Sequence, residues 1–152
     1  MKDNDTIAIL ATKATINSKK YNEEIYKINP KINVLGIDCT GFVEIVENRL
    51  YEVEKSIELI KSKLDIIKSC GAKRVVLGCT HYPYLEKTFK KILDVEYFNP
   101  AICLSEVVKK DLNHTFKNQK GEIKFCVSKN PKEFVLSAKT FFDVKEARLI
   151  EL

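Results

Sequence analysis

The 152-residue sequence has no tryptophan, one methionine, five glycines, four prolines and only two histidines. So little glycine and proline excludes a collagen-like or low-complexity chain, and no Gly/Ser- or Pro-rich linker interrupts it. No apolar run approaches the ~18 to 20 residues that cross a bilayer, so no membrane contact is expected. The polar start, "MKDND", is unlike a secretory signal, which is apolar at its centre. Five cysteines stand singly at 39, 70, 79, 103 and 126 with no C-x-x-C pair, which speaks against a disulfide framework and for a reducing, cytoplasmic setting. Two histidines and no second ligand pair leave no structural zinc pattern, so metal: none is the expectation. Charges of both signs are interspersed: 26 basic and 21 acidic residues give a net +5 without a basic stripe, so no nucleic acid partner is expected.

What is present is an alternation of short apolar runs with longer amphipathic ones. "TIAIL" (6–10), "INVLGI" (32–37), "RVVLG" (74–78), "VEYFN" (95–99), "GEIKFCVS" (121–128) and "EARLIEL" (146–152) read as strands. Between them, helical spacing predicts helices over 14–29, 83–93, 101–113 and 130–142. From Val46 the apolar positions Val46, Leu50, Val53, Ile57, Ile60, Leu64 and Ile67 step by four and three, then stop at Cys70-Gly71, where glycine suits a left-handed cap. One helix, or two with a break near Asn48 to Tyr51, both fit; the same spacing also suits a short coiled-coil seam, though packing on a sheet is favoured. Alternation of this kind implies an α/β fold, a three-layer sandwich with a mainly parallel sheet.

Ligands of an open parallel sheet bind beyond the carboxyl ends of its strands. "RVVLG" ends where Cys79, Thr80 and His81 begin, and Pro83 pre-sets the first turn of the following helix. A helix start favours a thiolate and presents N–H groups to a carboxylate, while a neighbouring imidazole exchanges protons. A packing cysteine beside a capping histidine fits the same residues, as does a thiol enzyme of another kind.

The string "LGCTHYPYL" (77–85) resembles the second catalytic motif of the glutamate racemases, which interconvert L- and D-glutamate without pyridoxal phosphate and supply D-glutamate for peptidoglycan. "LATKATINSKKY" (10–21) is similar to that family's G-T-x-A-T-x-x-S-x-x-Y, with Ala11 in place of glycine. "CTGFVEIVENRL" (39–50) resembles C-P-L-F-V-P-x-x-E, with Thr40 and Glu44 in place of prolines, and "FCVSKNPKEFVLSAKTFF" (125–142) resembles the closing segment.

The resemblance implies an amino-acid racemase needing no cofactor, with Cys79 and His81 catalytic and Thr80, His81, Thr12, Thr15 and Glu47 binding substrate. It assigns 5–100 to the second racemase lobe and 101–152 to a segment that completes the first. The first lobe's Asp-Ser-Gly, Pro-Tyr-Gly and Cys-Asn-Thr motifs are not in the sequence. The expectation is therefore a C-terminal part with one of two catalytic cysteines, poorly active alone. One half of a split racemase, a truncated product and a non-catalytic anion-binding remnant are the forms it leaves open; the partners are glutamate and either a second copy or a separate N-terminal lobe.

Overall fold

The computed structural model describes residues 2–112 and 121–151, and it divides into two compact units, 1–110 and 111–152. In the first, β1 (Thr6–Ala11), β2 (Asn33–Asp38), β3 (Arg74–Leu77) and β4 (Glu96–Phe98) form one sheet in the order β2-β1-β3-β4, every pair parallel. β1 reads as a continuous apolar run because it is central: Ala8, Ile9, Leu10 and Ala11 are all at most 1% exposed.

Side chains alternate across that strand. Ile7, Ile9 and Ala11 join Ile32 in a buried cluster, covered by Ile16 of α1 (Lys13–Ser18) and by Tyr21 and Ile25 of α2 (Lys20–Ile28). The opposite face, with Ala8 and Leu10, is left for α3 (Phe42–Glu47), α4 (Glu54–Ser69) and α5 (Glu86–Ile92), whose buried side chains include Phe42, Ile60, Leu64, Ile67 and Phe89. Phe42 meets Tyr82 at 5.5 Å and Phe89 at 5.8 Å between ring centroids. Arg74 ties the amino ends of three strands, reaching Asp5 and Glu96 at 3.2 Å each.

Where helices break, the backbone gives the reason. The expected helix over 14–29 is two, because Lys19 adopts φ 57° after the Ser18 hydroxyl donates back to the Thr15 carbonyl. The long amphipathic run is also two helices. Arg49 takes φ 55°, its N–H donates to the Val46 carbonyl, and the Leu50 N–H reaches back to Ile45 at 2.8 Å. That pair of bonds is a Schellman ending, and it makes Glu47 the last residue of α3. Leu50, Val53 and Ile57, which continue the apolar spacing from Val46, are 38–45% exposed. Gly71 does adopt the left-handed cap, at φ 69°.

A helix from Pro83 is corrected to a single 3₁₀ turn, Tyr82–Leu85, followed by α5. α6 spans Pro100–Leu112; Asn113, expected to end it, lies outside the described residues, as does Leu152 of the last expected strand. Among the described residues no helix is long and apolar enough to cross a membrane.

The second unit contains β5 (Cys126–Val127), α7 (Pro131–Ala138) and β6 (Arg148–Leu149), the two strands pairing in parallel. The strands expected over 121–128 and 146–152 shrink to two residues each, because the pair has no further strand among the described residues to extend its ladder. Phe125 packs against Phe134 and Phe142 at 6.1 and 6.2 Å. The unit boundary falls within α6, between Lys110 and Asp111.

Candidate functional site

In the order β2-β1-β3-β4 the chain leaves β1 toward one side and later returns to the other, so the topological switch lies between β1 and β3. Leu10 is opposite Leu77 in the ladder, and the Gly78 N–H donates to the Leu10 carbonyl at 2.8 Å. The residues that follow on each side are Thr12 and Cys79. β2 closes the edge, the Cys39 N–H donating to the Ala11 carbonyl at 2.9 Å.

Cys79 is partly exposed at this edge. Its Sγ lies 3.9 Å from His81 Nδ1, and His81 Nε2 lies 3.2 Å from Glu47 Oε1. A thiol donating to Nδ1 leaves the ring proton on Nε2, where the carboxylate accepts it; transfer of the thiol proton to Nδ1 gives a thiolate beside an imidazolium that donates from both nitrogens. Both states keep every partner satisfied, so the geometry suits a thiol that takes and returns a proton. The ring is partly shielded while the Glu47 carboxylate is about half exposed, open to solvent or ligand.

The loop is held from below. Tyr82 is fully buried and its hydroxyl donates to the Cys39 carbonyl at 3.3 Å, fastening the turn after His81 to the loop that leads into α3. Burial holds the Tyr82 phenol well above its usual pKa, and burial pushes the Cys39 thiol up to about 12, so Cys39 is a packed, neutral sulfur. Cys79 does not stand at an α-helix start, since α5 begins only at Glu86 and the intervening turn is 3₁₀.

Of the remaining expected residues, Thr12 caps α1: its hydroxyl accepts from the Thr15 N–H at 3.4 Å and lies 3.1 Å from the Thr15 hydroxyl. Both therefore stand at the carboxyl end of β1. Thr80 is exposed on the same edge. The structure thus brings Cys79, His81 and Glu47 into one chain of contacts, and sets Thr12, Thr15 and Thr80 on the rim without a bond to it. Gly78 and Tyr82 support the site without having been singled out in the sequence; the glycine immediately before the cysteine was the signal at hand. No group of three or more potential metal ligands occurs among the described residues.

No established family model matches the chain. Glutamate racemase 2 of Caldanaerobacter subterraneus subsp. tengcongensis is 34% identical over 140 residues, covering 89% of this chain and 53% of that protein. Glutamate racemase 1 of the same organism is 32% identical, covering 98% and 58%. A glutamate racemase from Francisella tularensis, solved in complex with D-glutamate, superimposes with a TM-score of 0.84 at 28% identity, covering 97% of this chain and 58% of that one. A glutamate racemase isoform from Bacillus anthracis gives 0.81 at 25% identity. The chain spans about half the length of the curated relatives it matches.

Proposed function

Starting from a chain that is a relative of the glutamate racemases and corresponds to a C-terminal portion of them, we propose that it carries one half of a glutamate racemase site. In this reading Cys79 is the acid/base for one face of the α-carbon. His81 takes up and returns the thiol proton, Glu47 orients the imidazole, and the hydroxyls of Thr80, Thr12 and Thr15 bind the substrate's carboxylates. The observation that carries it is the Cys79–His81–Glu47 contact chain standing at the topological switch.

Inversion at carbon removes a proton from one face and delivers one to the other. A thiolate abstracting the α-proton becomes a thiol and leaves a carbanion; a second thiol on the opposite face then protonates it, so proton count and charge balance over the cycle. Cys79 serves one face. The other sulfur belongs to the N-terminal lobe of the complete racemase, and residues 5–100 form the second lobe while 101–152 complete the first. Support for that division comes from the β5–β6 pair. Parallel sheets are stable when flanked by further strands and covered on both faces, and Leu149 and Ile150 are exposed at 62% and 39%. The biological role that follows is D-glutamate supply for peptidoglycan in the cytoplasm.

The test is α-proton exchange. Incubated with L- or D-glutamate in deuterated water, the 152-residue chain alone is expected to give no interconversion by polarimetry. Mixing it with an N-terminal racemase lobe bearing a Cys-Asn-Thr motif is expected to restore turnover, and Cys79→Ser to abolish it. Rapid racemisation by the chain alone, or restored activity that survives Cys79→Ser, overturns the proposal.

A further inference from the structure

Tyr21 has no part in the proposal above, yet its ring stands beside the residue from which Cys79 departs. A methyl group placed on Gly78 would stand 3.0 Å from Ala11 Cβ, 3.1 Å from the Leu10 carbonyl oxygen and 3.2 Å from Tyr21 Cε2. Two of these walls belong to β1 and are fixed by sheet pairing. The third is a side chain of α2, itself seated on the buried cluster of Ile7, Ile9, Ala11 and Ile32. Glycine is required here for close approach rather than for an unusual φ.

We propose that Tyr21 is a positioning residue for Cys79, its ring bracing Gly78 against the end of β1 and so fixing the direction in which the thiol leaves the sheet. The inference rests on Cys79 being the acid/base of the site. With the end of β1 and the Tyr21 ring crowding the Cβ side of Gly78, the next residue has little room to swing that way, and a 3.9 Å sulfur–nitrogen contact is sensitive to such swings. The electrostatics agree with the placement: burial raises the Tyr21 phenol above its usual value, and charge on Cys79 raises it further. The titratable groups around the sulfur are then His81 on its own loop, Cys39 and Tyr82 from the packed elements beneath, and Tyr21 from α2.

Alkylation of the whole chain by iodoacetamide across about pH 6 to 10, scored by peptide mass spectrometry, reads Cys79 apart from the exposed Cys70, Cys103 and Cys126. Tyr21→Phe keeps the ring and is expected to leave the Cys79 profile within about twofold, whereas Tyr21→Leu is expected to change its rate by roughly fivefold and displace its pH midpoint. Cys103 in the same samples is expected not to change. Buried Cys39 reports on folding: if Tyr21→Leu exposes it, Tyr21→Met takes its place in the comparison and is scored the same way. A Tyr21→Leu or Tyr21→Met profile that overlays the parent while Cys39 stays protected overturns the brace, and so does a Tyr21→Phe profile displaced as far as the Leu one. Labelling needs neither glutamate nor a second lobe, so its failure is separate from failure of the exchange experiment.

Discussion

The two units use the same device, parallel strands joined through helices, with opposite results. In residues 1–110 a central strand has a neighbour on each side and helices on both faces, and its side chains are almost wholly removed from water. In residues 111–152 two strands of two residues pair, among the described residues, only with each other, and Ile123, Leu136, Phe142 and Leu149 are 58–80% exposed. β1 has six residues and a partner on each side, whereas β5 and β6 have two residues and one partner each, and a parallel pair gains its stability from being interior.

Substitutions sharpen that contrast. The largest expected effect is Phe89→Ala, which empties a fully buried ring site touching Phe42 and Tyr97 and is expected to cost about 3–5 kcal/mol by urea denaturation. Leu136→Ala, at a 72% exposed position, is expected to stay within about 0.5 kcal/mol. Equal costs at the two sites would erase the distinction between the units. Next is Gly78→Ala, where two of the three close atoms are held by strand pairing; a loss of about 1–3 kcal/mol is expected from the same measurement.

Alkaline titration probes the first unit's interior in a different way. Cys39 is raised from 9.0 to about 12 by burial, so the unfolded chain releases this proton before the folded one does. Its contribution is complete below about pH 9 and lost as pH rises toward 12, with a slope up to about 1.4 kcal/mol per pH unit. Cys39→Ala is expected to show a shallower alkaline fall in unfolding free energy; an unchanged slope would contradict a neutral, packed Cys39. Smallest is Arg49→Gly, a left-handed position with φ 55°, expected to raise thermal stability by about 0.5–1 kcal/mol. A loss there would show that the Arg49 side chain outweighs the backbone strain.

Much of this was legible in the residues. The run "TIAIL" announced a central strand because burial on both faces leaves no polar alternation, and "RVVLG" followed by Cys-Thr-His placed the candidate thiol at the correct sheet edge. The break after Glu47 was legible only as one of two options, since apolar spacing continued through Leu50 and Val53 while the backbone did not. That break matters to the site, because it ends α3 where Glu47 meets His81. The partnership itself joins residues 34 apart and has no local signature. The placement of Tyr21 beside Gly78 was equally hidden, since it is made through the third dimension. The short strands of the second unit were over-read for the opposite reason: β-branched and aromatic content was present, but ladder length depends on neighbours outside the segment.

Because Glu47 and His81 are 34 positions apart in the chain, their contact exists only while the segment between them holds its shape. An extended chain of identical composition would have the same sulfur, ring and carboxylate and none of their cooperation. Under the proposed function, proton exchange at Cys79 would therefore serve as an internal gauge of whether α3, β3 and the 3₁₀ turn are docked. Loosening any of the three would part Glu47 from His81 well before the sheet itself came apart.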